Sequence, residues 1–81
     1  MRTEFTSRAA QNYQRSPPPL QKLVDKKMAL LRKDIRHPSI RAKKYDEARD
    51  IWQGRINRHY RFYFYISGDT YFIITIIPHP K

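Results

Sequence analysis

From Ile51 to Ile66, apolar and polar side chains alternate with a period of two, and the apolar positions are mostly aromatic or β-branched. Such a pattern predicts a pair of strands, with their turn near Asn57 to His59. Successive side chains of a strand point to opposite faces, so Trp52, Ile56, Phe62, Phe64 and Ile66 share one face. Gln53, Arg55, Asn57, Arg61, Tyr63 and Tyr65 share the other. The first set suits a core. The second is a row of guanidinium, amide and phenol groups. Ser67-Gly68-Asp69 then predicts a turn, and the near-continuous apolar run Tyr71–Ile77 predicts a strand in the middle of a sheet. Pro78 and Pro80 stop it.

Upstream the period changes. Leu20, Leu23, Val24, Met28, Leu31 and Ile35 recur at three and four, predicting an amphipathic helix from about Pro18 to Ile35. Prolines are tolerated in its first turn, and Ser16 is the expected cap. Lys27 falls on the edge of the stripe, where its stem can lie along apolar surface while the charge reaches water. Phe5, Ala9 and Tyr13 predict a shorter helix ending near Arg15, capped by Thr6 or Ser7, with Met1–Phe5 as an edge strand before it. Between His37-Pro38-Ser39 and Asp50 lies a mixed-charge connection, either a loop or a short strand at Ala42–Tyr45. The order predicts one α+β domain over residues 1–81, with two N-terminal helices packed on one face of a small, largely antiparallel, twisted sheet. The long helix is expected to cover Trp52, Ile56, Phe62, Phe64, Ile74 and Ile76, leaving the opposite face open.

Composition narrows the chemistry. At 81 residues a single core is only marginally sufficient. Without cysteine there are no disulfides and no thiolate zinc sites, and the three histidines are scattered, so neither a metal nor a cofactor is expected. Seventeen Lys and Arg against seven Asp and Glu give a net charge of +10, suited to nucleic acid or to an acidic protein. No apolar run approaches the roughly 20 residues of a spanning helix, and Met1-Arg2-Thr3-Glu4 has no apolar stretch behind it. The expectation is a cytoplasmic protein without membrane attachment. Glycine-rich phosphate loops, nucleophile elbows and paired carboxylates are absent from the sequence.

On the predicted open face, Arg55 and Arg61 lie on neighbouring strands and can converge on one anion, which arginine's planar fork binds bidentately. Thr75 and His79 share their parity on the last strand, so His79 is expected at the rim as a proton carrier. Tyr63 and Tyr65 offer flat surfaces for unpaired bases, and Lys43 and Lys44 can approach from the preceding connection. The plainer alternative pairs the arginines with Asp46, Glu47 or Asp50 as surface salt bridges, and treats the tyrosines as strand formers.

Three stretches together carry a resemblance: His37-Pro38-Ser39-Ile40-Arg41-Ala42-Lys43-Lys44-Tyr45, Trp52-Gln53-Gly54-Arg55-Ile56-Asn57 and Tyr60-Arg61-Phe62-Tyr63-Phe64. With the closing Ile76-Ile77-Pro78-His79-Pro80-Lys81, they resemble the RelE/ParE toxin superfamily of toxin–antitoxin modules. The family pattern is two helices, a loop with a basic segment, a strand bearing an aromatic and a basic residue, and an aromatic- or histidine-arginine pair opening the next strand. The resemblance implies a toxin held inactive by a cognate antitoxin. Its RelE-like branch cleaves messenger RNA at the ribosome by driving the ribose 2′-hydroxyl onto the adjacent phosphate. Carried over, Arg61 matches the family's phosphate-stabilising arginine, Arg55 a basic residue on the preceding strand, and His79 a histidine or basic residue after the last strand. Lys44 or Glu47 would supply the base. Many members carry an arginine directly after the position of His79; here that residue is Pro80, which leaves the acid's role to His79 or Lys81. Lys43, Gln53, Arg58, Tyr63 and Tyr65 are the candidates for RNA contact. The ParE-like branch, which poisons gyrase without cleaving RNA, and a non-catalytic binder of RNA or antitoxin are the alternatives.

Overall fold

The computed structural model describes residues 1–79, in which the chain runs β1 (Arg2–Phe5), α1 (Ser7–Arg15), α2 (Pro18–Lys33), β2 (Lys43–Asp46), β3 (Ile51–Arg55), β4 (Tyr60–Ser67) and β5 (Thr70–Pro78). One five-stranded sheet results, in the order β1-β5-β4-β3-β2, antiparallel throughout except where β1 runs parallel to β5. The α+β architecture and the placing of β5 inside the sheet are as the sequence predicts. Gly68, at φ 60°, opens the two-residue turn between β4 and β5, a backbone angle that glycine takes without a Cβ penalty.

The helices begin and end for reasons only partly visible in the sequence. Thr6 caps α1, its Oγ1 accepting from the Ala9 N–H at 3.2 Å. Ser16, expected to cap α2, instead closes α1: its backbone N–H donates to Tyr13 O and its hydroxyl to Asn12 O at 2.7 Å. Pro17 stands at the N-cap of α2 with no side-chain bond. Because prolines carry no N–H, fewer donors at that end need a cap. The helix stops at Lys33, short of Ile35, where Asp34 accepts from the Arg36 N–H at 2.9 Å and draws the chain into a turn.

Leu20, Val24, Met28 and Leu31 pack α2 onto Ile56, Phe62, Phe64, Ile73 and Ile76. Leu23, assigned to the same stripe, is exposed; it lies about 100° around the helix from Val24. Phe64 stacks on Phe62 at a centroid distance of 5.4 Å and meets Tyr71 edge-on at 5.7 Å, and Trp52 lies along its other side at 6.1 Å. Gly54 pairs with Phe62 across β3 and β4, and the far end of the phenyl ring occupies the space a Gly54 side chain would need. A Cβ at Gly54 would overlap Phe62 Cζ.

Two register shifts reshape the open face. Tyr63 pairs with Thr75 while Phe64 pairs with Ile73, so Ile74 is an extra residue on β5. Lys44 pairs with Trp52 while Asp46 pairs with Ile51, so Tyr45 is extra on β2. The shift on β5 overturns the expectation that Ile74 enters the core. Ile73 and Tyr71 enter instead, and Ile74 turns to the open side. An uninterrupted apolar run carries no phase, so alternation could not reveal the extra residue. β1 ends opposite Ile73, and α1 satisfies backbone groups of β5 beyond it. Thr6 Oγ1 donates to Ile74 O at 2.8 Å, while the Asn12 carboxamide oxygen accepts from Ile76 N–H at 3.0 Å and from the Thr75 hydroxyl at 2.9 Å.

In urea unfolding, Gly54→Ala should lose about 3 kcal/mol or more through overpacking against Phe62. Combining it with Phe62→Leu should cost less than the sum of the two single changes. Asn12→Ala should cost about 1–2 kcal/mol by stranding the Ile76 N–H.

Candidate functional site

At the end of the β3–β4 pair, Arg55 stands directly opposite Arg61, one step beyond Gly54 and Phe62, and Arg61 is flanked on its other side by Ile77. Like charges facing each other across a sheet are unfavourable. Local structure holds both in place. Asn57 Oδ1 accepts from the N–H groups of His59 at 2.8 Å and Tyr60 at 2.9 Å, folding the loop so that its carbonyls turn toward Arg61. Arg61 Nη1 then donates to Asn57 O at 2.7 Å and to Tyr60 O at 3.0 Å. The Arg55 N–H donates to Ile40 O at 2.7 Å, while the Ile40 side chain is fully buried. That anchor fixes the next residue, Arg41, in the left-handed region at φ 51°, uncommon for a side chain with a Cβ. Lys27 reaches from α2 to donate to Ser39 O at 2.9 Å, and His79 N–H bonds His59 O at 2.7 Å.

The result is a cavity of about 290 Å³ lined by Arg41, Lys43, Gln53, Arg55, Arg61 and His79. Among the described residues the ion pairs are Lys44 with Asp50 and Arg49 with Asp46; neither involves a cavity residue. The surface salt bridges considered for Arg55 and Arg61 are therefore not formed with any described carboxylate. Burial, then the charges of Arg41, Arg61 and Arg58, hold the Arg55 guanidinium below its ordinary pKa. Burial also lowers Lys27, followed by Lys26, Arg55 and Arg41. Arginine's ordinary pKa is so high that it stays charged at neutral pH even when lowered. The cavity is thus a fixed concentration of positive charge with guanidinium forks and an amide on its walls. Such a set of groups can take up an anion, which guanidinium forks bind bidentately. No group of three or more His, Asp or Glu capable of sharing a metal ion occurs among the described residues.

Five of the predicted residues meet here: Lys43, Gln53, Arg55, Arg61 and His79. Lys44 does not. It pairs with Trp52 on the helix-facing side, bonds Asp50, and holds its Nζ 5.0 Å from the indole centroid. Its neighbour Lys43, one residue away in a strand, takes the open face instead. Glu47 lies in the exposed turn between β2 and β3, away from the cavity walls. Arg58 sits exposed on the β3–β4 loop, close enough to act on Arg55 through its charge. Tyr63 lies beside the cavity rather than in it, edge-on to Tyr45 at 4.9 Å, and Tyr65 stacks on Phe72 at 5.1 Å. Lys81 lies outside the described residues. Arg41 and Lys27 complete the charge cluster without having been singled out. Arg41 stood in the basic segment, but its left-handed backbone has no signature in sequence. Lys27 reaches the site only through the fold.

No protein-family model matches the chain, and no curated protein does. Solved structures do. The YoeB/ParE toxin from Agrobacterium tumefaciens superposes with a TM-score of 0.82 at 16% identity, over 99% of this chain and 100% of that one. The YoeB dimer from Staphylococcus aureus gives 0.81 at 14%, over 99% and 98%. The archaeal RelE–RelB complex from Pyrococcus horikoshii gives 0.79 at 13%, over 95% and 92%. The chain therefore has the fold of the RelE and YoeB/ParE toxins.

Filling the cavity with an anion should stabilise the protein. Inorganic pyrophosphate at about twentyfold over its dissociation constant should add about 1.8 kcal/mol by linkage, read as a rise in Tm that sodium chloride of equal ionic strength does not reproduce. Arg55→Gln should remove most of that rise while leaving the anion-free protein at least as stable.

Proposed function

We propose that this chain is the toxin of a toxin–antitoxin pair and a metal-independent endoribonuclease that cuts messenger RNA on the ribosome. The observation that carries this is the convergence of Arg41, Arg55 and Arg61 with Lys43 and His79 in one cavity where no described carboxylate neutralises them. In the proposed reaction the ribose 2′-oxygen forms a bond to the adjacent phosphorus and the bond to the 5′-oxygen breaks. The products are a 2′,3′-cyclic phosphate and a 5′-hydroxyl. One proton leaves the 2′-oxygen and one reaches the 5′-oxygen. Charge grows on the non-bridging oxygens in between, and preorganised donors aimed there supply most of the acceleration. Arg61, oriented by the carbonyls of Asn57 and Tyr60, and Arg55 take that role. Arg41 adds a third fork. His79 carries out proton transfer, and Lys43 holds the neighbouring backbone.

A cognate antitoxin, acidic or amphipathic, would cover the basic cavity; the structural neighbour solved with RelB supports a partner of that kind. The ribosome is a large polyanion, so association should weaken with added salt. The site of action is the cytoplasm. No helix among the described residues is long and apolar enough to cross a membrane.

Mapping messenger RNA ends after pulsed expression tests the proposal. Wild type should produce cuts within translated frames, and Arg61→Ala and Arg41→Ala, each checked for folding, should reduce them by about two orders of magnitude or more. Arrested growth with intact transcripts would overturn the nuclease and favour the gyrase-directed or purely binding alternative.

A further inference from the structure

Beside the cationic cavity the open face changes character. Tyr45, Ile51, Tyr63, Ile74, Thr75 and Ile77 line a second, mostly apolar hollow of about 300 Å³. Both bulged residues of the sheet, Tyr45 and Ile74, belong to it. Bulges re-aim side chains beside functional sites, and here two of them, on different strands, point to one hollow. Tyr45 remains 62% exposed, and its ring meets Tyr63 edge-on at 4.9 Å. The hydroxyl of Thr75 already donates to Asn12, which leaves the two phenols as the side-chain donors of the hollow.

The two hollows share a border. Tyr63 is the cross-strand partner of Gln53, and Ile77 of Arg61; Gln53 and Arg61 both line the cationic cavity. Neighbouring positions on one sheet face are ~5–7 Å apart. A ligand that fills both hollows therefore carries an anionic group joined by a short linker to a flat, largely apolar ring. The geometry points to a nucleobase subsite: the hollow of Tyr45, Tyr63, Ile51, Ile74 and Ile77 stacks an unpaired base of a single-stranded nucleic acid whose phosphate lies among Arg41, Arg55 and Arg61. This rests on the phosphate role of the cavity. Recognition here is by stacking and area rather than by a base-edge code, so purines bind better than pyrimidines.

The test compares two probes that cannot be cleaved: tetradeoxyadenylate, which lacks 2′-hydroxyls, and an abasic oligomer of equal length and charge. Wild type should bind the base-bearing probe about tenfold more tightly. Tyr45→Ala, at an exposed position, should lose most of that preference with its affinity for the abasic probe unchanged, and Tyr45→Phe should keep it. If both probes bind wild type equally and salt-dependently, the subsite is wrong while the phosphate site stands. If neither binds, the phosphate site fails with it. A preference that survives in Tyr45→Ala overturns the subsite too. So does an acidic, leucine-bearing peptide that binds wild type but not Tyr45→Ala when the base preference is absent, since the hollow is then a protein contact.

Discussion

The contact between Gly54 and the Phe62 ring sets the geometry on which the cationic face depends. Phe62 can lie on the strand only because its partner has no Cβ, and that close approach fixes the register of β3 against β4. A slip of one residue would turn every side chain to the opposite face. With the register held, the next pair is Arg55 opposite Arg61. Both faces are thus set by one packing event: an aromatic core beneath, two guanidinium groups above.

Placing those groups together opposes folding, and the protein meets the cost with backbone anchoring rather than counter-charge. The carbonyls of Asn57 and Tyr60 orient Arg61, the buried Ile40 plug holds the segment bearing Arg41, and Arg55 donates its N–H to that same segment. The described acidic groups that form ion pairs are spent on Lys44 and Arg49, outside the cavity. Charge left unneutralised on a rigid frame is available to an external anion without reorganisation. The lowered pKa values of Arg55 and Lys27 have the same origin, burial compounded by neighbouring cations.

Helix α1 has a second task besides covering the sheet. Its cap Thr6 and the carboxamide of Asn12 satisfy backbone groups of β5 at and beyond the bulge, where β1 no longer runs alongside. The bulge in turn delivers Ile74 to the open face, beside Tyr45 from the other bulge. A helix on one side of the sheet thereby shapes the surface on the other.

The sequence by itself determined the two helices, every strand but β2, the α+β order and the opposition of an apolar face to a basic one. Periods of two and of three to four are local and survive in a linear string. It also placed Gln53, Arg55 and Arg61 on one side, since their parity is unbroken along short strands. Tertiary structure alone decided the rest. Ile74 left the core through a bulge that an unbroken apolar run conceals, and Ser16 closed the helix before it rather than opening the one after. Lys44 turned to Trp52 because β2 pairs in a register the connection did not announce. Arg41 joined the cavity through its left-handed backbone beside a buried plug, and Lys27 came near it only as a long side chain reaching across from α2. Those outcomes depend on contacts between segments distant in the chain, which no local periodicity encodes.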